Sequence, residues 1–159
     1  MTSKVYVALR VAASPERAWE AFVAEIGAWW RPNLLFQTTP RPGRLSIEPG
    51  PDGRLIETRE GGKVFEIGKI LAWEPPSRLV FSWRQANFPP DLHTEVEVRF
   101  EPVGEETRVS VEHRGFHNVP IDSAARHGFP DSLLLTRLAD FWRAQIDAVR
   151  ELFQDAPRG

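Results

Sequence analysis

The chain has 159 residues, 42% apolar and 26% charged, which is the size and composition of one ordinary globular domain. Its 20 basic and 22 acidic residues are interspersed, so no basic run marks a nucleic-acid surface, and the lack of cysteine excludes disulfides, thiolate metal sites and a Cys nucleophile. The N-terminus lacks the unbroken apolar run of a signal peptide and no segment approaches the ~20 apolar residues of a membrane span, which points to a soluble, cytoplasmic protein without membrane insertion.

Residues Lys4–Val11 alternate, with Val5, Val7, Leu9 and Val11 on one face and Lys4, Tyr6 and Arg10 on the other, predicting a half-buried strand. Ser14-Pro15 reads as a helix N-cap and a first-turn proline, whose missing N–H costs nothing there. Trp19, Phe22, Val23 and Ile26 follow at helical spacing, with Gly27 as the expected stop and Trp29-Trp30 opening a second short turn. The stretch "RPNLLFQTTPRPGR", from Arg31, is too punctuated by proline for a long element. From Leu45 to Arg114 the pattern is strands and turns, with hairpin chemistry in "PGPDG" and "EGGK", whose glycines tolerate positive φ. Pro75-Pro76 cannot donate to a sheet ladder, so Lys63–Trp73 and Arg78–Arg84 are predicted as neighbouring antiparallel strands with a fixed turn. Two more strands, Thr94–Glu101 and Thr107–Arg114, flank "PVGEE". The last element is a long helix from Pro130-Asp131. Its apolar stripe is Leu135, Leu138, Trp142, Ile146, Val149 and Phe153, with Arg137, Asp140, Arg143, Asp147 and Arg150 opposite.

A sheet apolar on one face and one long amphipathic helix are both satisfied when the sheet curls around the helix. The fold class is therefore α+β: a curved antiparallel sheet of six to seven strands around a long C-terminal helix, with two short helices after the first strand. A single domain is expected over residues 1–159. Strand parity places three rows inward: Leu79, Phe81 and Trp83; Val96, Val98 and Phe100; Val109, Val111 and His113. The strand from Arg54 is ambiguous, since either Leu55, Glu57 and Arg59 or Ile56, Thr58 and Glu60 face in. The longest connections carry Leu34, Leu35, Phe36, Phe88, Phe116 and Phe129, apolar residues that either fold over a cavity mouth or mark a protein-contact patch.

Three segments, "VALRVAASPERAWEAFV", "GKILAWEPPSRLVFSWR" and "TRVSVEHRGF", resemble the Hsp90 ATPase activator homologue-like family, with "AWEPPSRL" the most specific piece. The resemblance runs from about Val5 to Phe153. That family belongs to the START-related, birch-pollen-allergen-like helix-grip superfamily (SRPBCC). The resemblance implies a sheet gripping the C-terminal helix, with a cavity between them. It implies function only broadly: the family includes a eukaryotic co-chaperone domain, and the superfamily includes lipid carriers, hormone receptors and polyketide cyclases. No catalytic motif carries over residue by residue.

Ligand pockets run about 300–1,000 Å³. Empty apolar volume costs on the order of 24 cal/mol per Å³, so even the small end costs about 7 kcal/mol against a total stability of about 5–15. An open cavity would thus imply a purpose; the alternative is that Trp19, Trp29, Phe81, Trp142 and Phe153 fill it. Gly115 between His113 and His117 argues against a zinc helix, and no cofactor or metal motif appears, so no metal ligand and no catalytic residue is assigned. The expected function is binding of a small hydrophobic or amphipathic molecule, in a carrier, sensor or stress-related role. Its expected lining is Phe36, Phe81, Trp83, Phe88, Phe116, Leu138 and Trp142, with His113, Arg59 and Glu57 as polar members. One alternative is a cyclase- or aromatase-like enzyme using His113 or the Glu57/Arg59 pair to move protons. Another is a co-chaperone-like module with a chaperone partner. A homodimer is left open, and no nucleic-acid partner is expected.

Overall fold

The structure, a computed structural model, describes residues 4–41 and 43–154. The alternation at the start of the chain becomes strand β1 (Lys4–Val11), which buries Val5, Val7 and Val11 and exposes Lys4, Tyr6 and Arg10. Ser14 caps α1 (Pro15–Ala24), its hydroxyl oxygen accepting from the Arg17 N–H at 3.2 Å. Gly27 does not stop this helix. The break falls at Glu25, and Gly27 lies inside α2 (Ile26–Trp29), which Trp29 closes rather than opens. The glycine is there for room, because a Cβ would lie 2.8 Å from the Leu45 carbonyl oxygen.

Six more strands complete one antiparallel sheet: β2 (Arg44–Ile47), β3 (Arg54–Thr58), β4 (Val64–Glu74), β5 (Arg78–Trp83), β6 (Thr94–Val103) and β7 (Glu106–Arg114). The order is β1-β7-β6-β5-β4-β3-β2. β6 runs two residues past the expected Glu101, since the tight turn at Gly104 (φ +63°) lets Pro102 face Thr107 and Val103 face Glu106. The curl of the sheet is made in β4. Its first half pairs with β3 and its second with β5, with the changeover between Gly68 and Ile70. A Cβ on Gly68 would lie 1.6 Å from the Ser82 carbonyl oxygen, so only glycine admits this close approach.

Against the resulting half-barrel, α3 (Asp131–Glu151) packs along β1 and β7 in the helix-grip arrangement. Beside the expected Leu138, Trp142, Ile146 and Val149 it buries a second row, Leu134, Phe141, Gln145 and Ala148. Leu135 is only half-buried, and Phe153 packs on the core beyond the helix end. The outer faces of β5, β6 and β7 carry an ion-pair lattice. Arg114 reaches Glu95 at 2.7 Å, Glu97 at 3.1 Å and Glu112 at 2.7 Å, while Arg78 and Arg99 reach Glu97 at 2.9 and 2.7 Å. Among the described residues, no helix is long and apolar enough to cross a membrane.

Candidate functional site

Inward parity on β5 and β7 and the second row of α3 bring one layer of rings together under the sheet. Trp83 stands 5.8 Å from Trp142, 6.2 Å from Phe141 and 5.9 Å from Trp30, centroid to centroid. Phe141 in turn meets Phe36 at 5.3 Å, and Phe116 lies 6.2 Å from Phe36 and 5.7 Å from Phe88. Four of these six contacts are edge-to-face, an arrangement that the ring quadrupoles favour, and the other two are tilted. Phe81 and Leu138 belong to the same core, Phe81 two positions before Trp83 on β5 and Leu138 one turn before Trp142. The sequence reading left open whether this space is a cavity or is plugged. Rings occupy it, though not the set expected: Trp19 and Trp29 belong to a neighbouring group with Phe22, Trp73 and Phe100, joined to the layer through Trp29–Trp30 at 5.8 Å. Surface depressions lie outside the layer, one of about 260 Å³ beside Ile67, Lys69 and Leu92 and one of about 430 Å³ beside Lys4, Thr94 and His117.

Inside the layer, His113 is fully committed. The Trp142 indole N–H donates to His113 Nδ1 at 2.9 Å. An indole nitrogen is only a donor, so Nδ1 is the bare nitrogen and Nε2 carries the proton. That proton goes to Thr94 Oγ1 at 2.7 Å, and the Thr94 hydroxyl donates to the Trp83 carbonyl at 3.2 Å. Burial, reinforced by the Arg114 charge, pushes the imidazole down to about 3. His113 is thus neutral with no free lone pair, and a general base needs one. Trp83 is held similarly, its indole N–H donating to the buried Gln85 Oε1 at 3.2 Å.

Glu57 and Arg59 follow the first of the two parities, since Leu55 and Glu57 are buried while Thr58 is exposed. They do not act as a pair. The fully buried Glu57 carboxylate accepts from Thr38 Oγ1 at 2.9 Å, Thr39 Oγ1 at 2.7 Å and the Gly43 N–H at 2.8 Å. It therefore clamps the connection between α2 and β2 onto the sheet. The same connection is tied to α3 by Gln145, which accepts from the Arg31 N–H at 2.9 Å and donates to the Arg31 carbonyl at 2.6 Å. It meets the other two rim connections where the Ala86 N–H donates to the Thr38 carbonyl at 2.7 Å and His127 Nε2 donates to the Leu35 carbonyl. Arg59 turns instead to a surface depression with Arg41 and Lys63. Among the described residues, no three His, Asp or Glu side chains are placed to hold a metal ion.

Of the residues expected to line the site, Trp83, His113, Trp142, Phe36, Phe88 and Phe116 lie together in this layer, beside Trp30, Phe141, Gln85 and Thr94, which the sequence reading does not single out. The signal for Phe141 was present, since Leu134, Leu138, Phe141 and Gln145 repeat at three and four residues. Trp30 follows the last residue of α2 and sits in no periodic pattern.

The family model described as Activator of Hsp90 ATPase homolog 1-like protein matches residues 12–142. In backbone shape the chain is similar to protein MLL2253 from Mesorhizobium loti, with TM-score 0.66 and 21% identity over 94% of this chain and 96% of that one. It is also similar to CalU16 from Micromonospora echinospora, with TM-score 0.63 and 18% identity over 98% and 78%. An HSP90 activator from Plasmodium falciparum gives TM-score 0.64 and 16% identity over 94% of each chain. At such identities the likeness is one of fold. Among curated proteins none matches in sequence.

Proposed function

The chain belongs to the Activator of Hsp90 ATPase homolog 1-like family, and from that premise we propose that it is a binding module for a small hydrophobic or amphipathic molecule held between the sheet and α3. The observation that carries this reading is Trp30. Its ring is only half-buried yet meets Trp83, Phe141 and Trp142 at 5.9, 5.6 and 5.9 Å, so the ring layer runs out to the surface there. Trp30 and Phe36 flank and belong to the α2–β2 connection, which is held by the Gln145 and Glu57 bonds rather than by a strand ladder. Moving that connection outward exposes the rings while the sheet and α3 stay in place. A guest burying about 200 Å² of apolar surface gains about 5 kcal/mol at 25 cal/mol per Å². In this reading His113 and Gln85 hold the Trp142 and Trp83 rings in place rather than donating protons to the guest.

Titration with medium-chain fatty acids, their alcohols and a fluorescent apolar probe tests the proposal through tryptophan emission. The expected result is saturable one-to-one binding that tightens in Phe36→Ala, where the removed ring leaves volume for the guest. A panel that gives no saturable change, together with no molecule recovered by denaturing extraction and mass spectrometry, refutes it.

A second reading, protein contact, is favoured by Leu34 and Ile121, which are 86% and 73% exposed on two rim connections that touch at the Leu35–His127 bond. If this face engages an Hsp90-type chaperone, the purified chain stimulates the chaperone's ATPase and the double variant Leu34→Ser, Ile121→Ser loses that effect. Unchanged stimulation in the double variant rejects this face.

A further inference from the structure

β3 ends at Thr58, but Arg59 continues in extended backbone (φ −90°, ψ 167°) and keeps the inward parity of Glu57. The turn that follows is closed by the Arg59 N–H to the Lys63 carbonyl at 2.7 Å and the Gly62 N–H to the Arg59 carbonyl at 2.9 Å. Arg59 and Lys63 therefore stand at the two ends of one tight turn. With Arg41, Glu60 and Gly61 they line a depression of about 370 Å³. Three cations against one carboxylate give this spot a formal charge of +2, in a chain whose net charge is −2. No described carboxylate pairs with Arg41, Arg59 or Lys63, as is also true of Arg44, Lys69, Arg84 and Arg108, but these three line one depression together. Arg59 Nε, like Arg126 Nε and Arg150 Nε, is shut off from solvent without a hydrogen-bond partner.

We propose that this depression is a binding site for a phosphate-type dianion, either free or as the head of a phosphorylated molecule. The guanidinium offers its two terminal nitrogens as a planar fork that matches two oxygens of one oxyanion. Lys63 and Arg41 add charge that a single carboxylate would leave uncompensated. Gly61 keeps the wall open, since nothing lies within 4 Å of where its Cβ would be. The site is independent of any apolar guest, so it stands or falls separately from the function proposed above.

Calorimetric titration with inorganic phosphate and with octyl phosphate, at ionic strength fixed by chloride, tests it. Saturable binding is expected, weakened about tenfold by Arg59→Gln and by Lys63→Gln and unchanged by Arg137→Gln, which lies on the outer face of α3. Equal affinity for the two probes assigns a free anion, and tighter octyl phosphate binding that Lys63→Gln weakens assigns a phosphorylated head group. Lys63 is exposed, so its variant reports even if Arg59→Gln fails to fold. No saturable binding of either probe, or equal weakening by Arg137→Gln, overturns the proposal.

Discussion

Glu57 has two oxygens and three donors aimed at them, and this asymmetry makes its role testable at the level of single atoms. Gln has the same shape but one acceptor fewer. Placed with its oxygen toward the Gly43 N–H and Thr38, it turns its amide nitrogen toward Thr39. The Thr39 hydroxyl can then accept from that nitrogen and donate to the Arg41 carbonyl, 3.0 Å away. Glu57→Gln is therefore expected to cost about 1 kcal/mol, whereas Glu57→Ala strands the Thr38 hydroxyl and the Gly43 N–H and costs about 3 kcal/mol or more. Urea unfolding measures both, and hydrogen exchange in the α2–β2 connection is expected to rise only for the alanine variant. If the two substitutions cost the same, the clamp does not work by hydrogen bonding.

At the scale of elements, β4 joins the two parts of the sheet, its first half pairing with β3 and its second with β5. Gly68→Ala puts a Cβ against the Ser82 backbone, which no side-chain movement relieves, so a loss of about 3 kcal/mol or more is expected. Measured by urea unfolding, a cost under 1 kcal/mol would mean that the strands part easily and that the curl is set elsewhere. This also shows which features were legible in the sequence. Period-two rows such as Leu79, Phe81 and Trp83 survive translation into structure because parity is local to one strand. Apolar residues in the connections, Phe36, Phe88 and Phe116, were recognisable because loops rarely hold them without a surface to cover. Gly27 was misread as a stop because its reason is an approach to Leu45, 18 positions away, and nothing nearby in the chain announces that contact. The gathering of Arg41 with Arg59 and Lys63 was hidden in the same way, since it depends on the Glu57 clamp bringing one connection against another.

Over the whole molecule, two buried polar centres give the fold one direction of acid sensitivity. His113 is held at about 3 when folded and returns to about 6.5 when unfolded. Above pH 6.5 both states are neutral there and the group contributes no pH dependence. Below it the unfolded chain takes a proton that the fold refuses, so stability falls by up to about 1.4 kcal/mol per pH unit and by on the order of 5 kcal/mol at pH 3. Glu97 acts later in the same direction. Burial alone would raise its carboxyl, but the Arg78 and Arg114 hydrogen bonds outweigh that and hold it below the usual range, so its contribution is lost as pH falls through that lowered value. Against a total stability of about 5–15 kcal/mol, the histidine loss alone consumes a large part of the margin by pH 4. Urea unfolding at pH 8, 7, 6 and 5 is expected to give a plateau followed by a decline. His113→Gln separates the cause from general acid weakening, because a Gln amide accepts from Trp142 and donates to Thr94 yet does not titrate. The variant is expected to lose most of the slope between pH 6.5 and 5 whatever its absolute stability, and an unchanged slope would place the acid sensitivity outside the ring layer.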